Sequence, residues 1–124
     1  MEEQVFIIVK PGFLKYTKEI LEKLKKEGWE LIRIRTKKLL LSEAKRLYAV
    51  HKKEKFYTPL CKYMSSDLST GIIVAKKTKA PFEEIAKIKD KFRKKYAESD
   101  MRNVMHSSDS KESMDKEMYS YFWS

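Results

Sequence analysis

Apolar residues in this chain come in short blocks, and the changes of period between blocks mark the elements. Gln4 to Lys10 (QVFIIVK) is a continuous β-branched run, too apolar for an exposed strand, and Pro11-Gly12 ends it. From Thr17 to Glu27 the residues Ile20, Leu21 and Leu24 share one face among lysines and glutamates, which predicts an amphipathic helix closed by Gly28. Trp29 to Thr36 alternates apolar with charged residues and predicts a second, more peripheral strand, with Trp29, Leu31, Ile32 and Ile34 turned inward in part. Leu41-Ser42-Glu43 offers a helix cap ahead of Ala44, Leu47 and Tyr48 at helical spacing, and a further helix is expected from Phe56 to Ser66. Thr70 to Lys77 is a third strand. Ala80-Pro81 opens a helix whose buried stripe is Ile85, Ile88 and Phe92, with Arg93 at its end. Val104-Met105 enters the sheet as a short strand, and Ser110 to Tyr121 forms a last helix with Met114, Met118 and Tyr121 as its apolar stripe.

That order of elements predicts an α/β (α+β) fold, a ferredoxin-like sandwich with a four-stranded antiparallel sheet and an inserted helical hairpin. The length, 124 residues, fits one domain over 1–124.

Composition narrows the setting. A hydrophobic share of 42% beside 37% charged residues is that of an ordinary soluble domain. No apolar run approaches the ~20 residues that span a bilayer, so no membrane partner and a cytoplasmic location are expected. Cys61 is the single cysteine, which excludes an internal disulfide and a thiolate metal cluster. The formal net charge of +10 favours nucleotides or polyanions as partners, with nucleic acid second because many of the lysines are scattered.

Two places carry chemistry. Lys10 ends a buried strand before a Pro-Gly turn, where its ammonium can project into a crevice at the sheet's edge and meet a phosphate. His106 lies at a strand-to-helix transition, with Arg102, Asn103 and several hydroxyls around it and the N-cap residues Ser108-Asp109-Ser110 behind it. An imidazole so placed can act as a nucleophile. On composition alone, a single His among polar residues is more often a surface or structural side chain than a catalyst.

The pattern Asn103, His106, Ser108, Asp109, Ser110, then Glu117 resembles the hallmark segment of the nucleoside diphosphate kinase family, with Ser107 where that segment has glycine. Matching pieces run in order from Val9-Lys10-Pro11 through Tyr48, His51, Phe56 and Arg93 to the Tyr121-Phe122-Trp123 tail, so the resemblance covers essentially the whole chain. It implies transfer of the γ-phosphate of ATP or another NTP to an NDP by a ping-pong route through phosphorylated His106. By the same resemblance Lys10 and Arg93 bind phosphate, Phe56 stacks on the base, and Tyr48 and His51 reach toward the phosphates. Asn103 holds the sugar or phosphate side, and Glu117 orients the imidazole through Ser108. Mg²⁺ is implied as cofactor, held mainly by the nucleotide with no direct protein ligand, and a homo-oligomer, dimer or larger, as the assembly. The alternatives are a weak or inactive member serving as a nucleotide- or nucleic-acid-binding protein, and phosphohistidine transfer to another protein.

Departures from the family pattern are local. Gly12-Phe13 replaces the usual Asp-Gly after the proline, and the long loop before the second phosphate-binding arginine is largely missing. No Ser or Thr lies between Thr78 and Ser99 to match the family's threonine, and Lys87 or Lys89 is left to stand for the other arginine. Asp100 or Met101 is expected to face the base across from Phe56.

Overall fold

In the computed structural model, which describes residues 2–123, four strands form one antiparallel sheet. The strands are β1 (Glu3–Val9), β2 (Glu30–Lys38), β3 (Leu68–Lys76) and β4 (Met105–Ser107), in the order β2-β3-β1-β4. The helices are α1 (Thr17–Lys26), α2 (Leu41–Leu47), α3 (Tyr57–Met64), α4 (Pro81–Lys95), α5 (Lys111–Glu117) and α6 (Tyr119–Phe122). Together they make the ferredoxin-like sandwich that the order of elements predicts, with α2 and α3 as the inserted hairpin.

The central position of β1 follows from its run of apolar side chains, which alternate between two cores. Val5, Ile7 and Val9 pack with Ile20, Leu24, Trp29, Ile85, Ile88, Phe92 and Met105 on the α1/α4 side. Phe6 and Ile8 pack with Leu47, Leu60, Met64, Ile73, Met114, Tyr121 and Phe122 on the side of the hairpin and the C-terminal helices. Burial on both faces is what allows a continuous apolar strand. Cys61 is a packed, reduced position in α3.

Several expectations change. Trp29 is buried, but Leu31, Ile32 and Ile34 are 40–45% exposed, because β2 is an edge strand whose register shifts between Leu31 and Arg33. α2 begins at Leu41 rather than after Ser42: Leu40 is the N-cap, and its N–H donates to the Glu43 carboxylate at 2.9 Å. α3 is shorter at both ends than Phe56 to Ser66, and α4 runs on to Lys95, which puts Arg93 in its last turn. The single C-terminal helix is two, α5 and α6, divided at Met118. Ser110 caps α5 by accepting the Ser113 N–H. Tyr121 and Phe122 bury against the sheet while Trp123 is 57% exposed beside Arg33.

Candidate active site

Lys10 follows the last residue of β1, and Gly12 makes the turn behind it with φ of +88°, a left-handed conformation that a side chain would strain. Tyr63 of α3 donates its hydroxyl to the Pro11 carbonyl at 2.6 Å, and the Arg102 guanidinium lies 4.8 Å from the Tyr63 ring centroid. That stack ties the turn after Lys10 to the segment ahead of His106. Lys10 is 5% exposed, and its Nζ donates to the Met101 carbonyl at 3.3 Å. Burial, then the charges of Arg93 and Lys89, push its ammonium down to about 7.

β4 sets His106 beside Lys10's strand: His106 pairs with Ile8 and Met105 with Val9. Arg93 closes in from α4. Its Nε donates to the Met105 carbonyl at 2.9 Å, which fixes the plane of the guanidinium, and among the described residues its terminal nitrogens take no hydrogen bond. Burial lowers the pKa of Arg93, yet a guanidinium stays charged.

Glu117, at the end of α5, reaches the imidazole, and its Oε1 meets Nε2 of His106. Among the described residues Nδ1 takes no hydrogen bond. A carboxylate can only accept, so this pairing favours the tautomer with the proton on Nε2 and a free lone pair on Nδ1. Ser108 does not mediate it: its hydroxyl is buried and donates to the Phe6 carbonyl at 3.1 Å, locking the chain to β1 after the strand ends. The expected relay through Ser108 is therefore replaced by direct contact.

These groups open onto one cleft of about 480 Å³, lined by Lys10, Tyr48, His51, Phe56, Leu60, Arg93, Asp100, Met101, Asn103 and His106. Seven of the nine residues singled out in the sequence line it; Glu117 stands behind His106, and Ser108 is turned away. Phe56 is 43% exposed at the cleft, with its ring 5.3 Å from that of His51. Asp100 and Met101 also line it. The Tyr48 ring stands edge-on to His106 at 6.2 Å. Its hydroxyl is buried without a hydrogen-bond partner, and burial, with the nearby Tyr121 and Glu117, pushes its pKa well up. Asn103 uses its amide N–H on the Asp100 carbonyl at 2.6 Å, which shapes the loop, and its Oδ1 is buried without a partner.

Leu60 was not singled out from the sequence. It follows Phe56 by one helical turn, so the i, i+4 spacing is the signal that could have found it. Of the two lysines left to replace the absent arginine, Lys89 acts on Lys10, whereas Lys87 lines a separate recess with Lys23 and Trp29. Among the described residues no group of three or more His, Cys, Asp or Glu side chains could hold a metal ion. The cleft therefore offers cations and an aromatic face, the chemistry that suits a nucleotide's phosphates and base.

No helix of the described chain is long and apolar enough to cross a membrane. In the solved crystal structure of the nucleoside diphosphate kinase of Aquifex aeolicus, 93% of the chain matches 95% of this one with a TM-score of 0.81 at 24% identity, a likeness of fold. The chain is 31% identical over 130 residues to nucleoside diphosphate kinase 1 of Protochlamydia amoebophila, covering 97% of this chain and 92% of that protein. It is 27% identical over 132 residues to the nucleoside diphosphate kinase of Methanocaldococcus jannaschii, covering 98% and 94% respectively. The family model described as nucleoside diphosphate kinase matches residues 3–124, and on that span the chain belongs to the nucleoside diphosphate kinase family.

Proposed function

We propose that the chain acts over 1–124 as one nucleoside diphosphate kinase domain, moving the γ-phosphate of ATP or another NTP to an NDP. What carries this reading is the convergence of Lys10, Arg93 and the unpartnered Nδ1 side of His106 on one cleft with Phe56 at its edge. In the first half-reaction the Nδ1 lone pair attacks the γ-phosphorus, an N–P bond forms, and the P–O bond to the β-phosphate breaks with its electron pair leaving on the NDP. In the second, a terminal oxygen of the acceptor NDP attacks phosphohistidine and the N–P bond breaks in turn.

Lys10 and Arg93 stabilise the equatorial oxygens of the transferring group, with Lys89 adding charge beside them. The Tyr48 hydroxyl, unpartnered beside His106, is a donor for a phosphate oxygen. Glu117 holds the imidazole and stabilises the positive charge that builds on the ring during attack. Asn103 and His51 border the sugar and phosphate side, and Phe56 stacks on the base. A stacking surface without fitted base-edge partners suits several bases, so broad nucleotide specificity is expected.

Mg²⁺ would be carried by the nucleotide: the described residues that line the cleft offer a single carboxylate, Asp100, beside the cations Lys10 and Arg93, a donor set suited to phosphates that bring their own metal. Bound there, Mg²⁺ supplies neutralisation of the β- and γ-phosphate oxygens. A homo-oligomer, dimer or larger, is part of the reading, supported by the half-exposed Leu31, Ile32 and Ile34 on the edge strand β2. The location that goes with these substrates is the cytoplasm.

The test uses γ-labelled ATP with Mg²⁺ on the protein and on His106→Ala, followed by a chase with unlabelled diphosphates. Acid-labile label on the wild type alone, moving onto several diphosphates, is the expected result. A His106→Ala protein with full exchange activity overturns the mechanism.

A further inference from the structure

The +10 charge is not spread evenly. Between positions 37 and 66 stand eight basic residues and two acidic ones, so six of the ten excess charges sit in under a quarter of the chain, the segment that carries α2 and α3. A groove of about 490 Å³ runs between these helices, as large as the catalytic cleft, lined by Leu41, Lys45, Arg46, Ala49, Lys52, Tyr57, Thr58 and Lys62. No acid is among those residues. Lys45, Lys52 and Lys62 form no ion pair among the described residues, and Arg46 lies over the Tyr119 ring at 5.1 Å. Tyr57 donates its hydroxyl to the Lys45 carbonyl at 3.1 Å, which pins its ring across the groove beside the apolar Leu41 and Ala49. The Ala49–His51 turn separates the two sites: His51 faces the catalytic cleft, and Ala49 and Lys52 face the groove.

A cationic channel with a fixed aromatic wall is the chemistry that binds an unpaired polynucleotide, phosphates along the lysines and a base on the ring. A bilayer would instead favour a convex or flat face. We propose that the α2–α3 groove is a docking site for single-stranded nucleic acid, separate from the nucleotide cleft and not used in phosphoryl transfer.

The test is fluorescence anisotropy of a labelled oligothymidylate of about 12 nucleotides. Engagement of three to four cations predicts a log–log salt slope of about −2 to −3. Lys45→Glu/Lys52→Glu/Lys62→Glu should weaken binding about tenfold or more at ~50 mM salt. Lys23→Glu/Lys87→Glu/Lys91→Glu, an equal change of net charge around a different recess, should leave it within about threefold. Tyr57→Leu should cost about tenfold with the slope unchanged, whereas Tyr57→Phe keeps the stacking ring, loses only its tether to the Lys45 carbonyl, and should cost less than about threefold. Saturating Mg-ATP should not compete, and phosphotransfer by the groove variants reports that they have folded. If the triple variant does not fold, the single changes at Lys45, Lys52 and Lys62 should each weaken binding about twofold, and Lys87→Glu should not. Absence of binding, equal loss in both triple variants, competition by Mg-ATP, or binding of anionic vesicles without oligonucleotide would each overturn the proposal.

Discussion

Glu117 Oε1 occupies Nε2 of His106, and this one contact decides which ring nitrogen is left for chemistry. Phosphorylation is therefore expected on Nδ1, checked by ³¹P NMR of the labelled protein or by alkaline digestion to the two phosphohistidine isomers. Glu117→Gln should lower kcat by about 10², less than the ~10⁴ lost with a protease triad's carboxylate, because here the imidazole is the nucleophile and shuttles no proton. KM should change little. An unchanged kcat in Glu117→Gln would remove the orienting role.

Lys10 carries the clearest pH signature. Its pKa falls from 10.5 in the unfolded reference to about 7 in the fold, so between those values the unfolded chain binds more protons and stability rises with pH. Below about pH 7 the buried ammonium costs the fold up to about 5 kcal/mol, and that cost is gone by about pH 10.5. Lys10→Met should thus be more stable than wild type at pH 6 while losing phosphotransfer. Phosphates favour the ammonium, so nucleotide binding at pH 8 should take up close to one proton in wild type and none through this group in Lys10→Met. Titration calorimetry in buffers of different ionisation enthalpy reads that difference directly.

Arg93, in the last turn of α4, is held by β4, since its Nε is fixed on the Met105 carbonyl. Arg93→Ala should cost about 10² or more in kcat/KM, the worth of a donor aimed at developing charge. Arg93→Lys should recover little of it, because one ammonium cannot both hold Met105 and present a fork to phosphate. Steady-state kinetics of the two variants side by side is the measurement. Full rescue by lysine would mean that only charge matters here.

Much of this was legible in the sequence, for reasons that differ by residue. The apolar run Val5 to Val9 reads as a central strand, and the resemblance of Arg93, Asn103, His106 and Glu117 to the family pattern, rather than composition, named most of the site before any geometry. Spacing does not say which way a hydroxyl points, so Ser108 was placed on the Glu117 side although it turns to Phe6. Nor does composition separate Lys87 from Lys89: two residues apart on a helix is about 200°, which sends them to different sides of α4. The alternation of Trp29 to Thr36 marked β2 as a peripheral strand but carries no sign of the register shift between Leu31 and Arg33, so Leu31, Ile32 and Ile34, expected to turn inward in part, are half-exposed instead. Ser107, which replaces a glycine of the family pattern, pairs with Ile7 as an ordinary strand residue.

Gly71 has a less visible part in the site. It pairs with Ile8 in the sheet, and Ile8 pairs in turn with His106, so the three form one row across β3, β1 and β4. The tail is seated on that row: a Cβ at Gly71 would come within 2.7 Å of Tyr121 Cγ, and Tyr121 is fully buried with its hydroxyl 2.6 Å from Ser69 Oγ. Tyr121 lies four residues beyond Glu117, across the bend at Met118, so displacing the ring displaces the carboxylate that holds His106. Gly71→Ala should therefore cost about 1–3 kcal/mol by overpacking and lower kcat more than it changes KM. Tyr121→Phe removes only the hydrogen bond, costs about 1 kcal/mol, and should leave kcat near wild type. Denaturant melts and steady-state kinetics on both variants separate the two effects. A Gly71→Ala protein that is destabilised but turns over normally would show that the seat of the tail supports the fold without positioning Glu117.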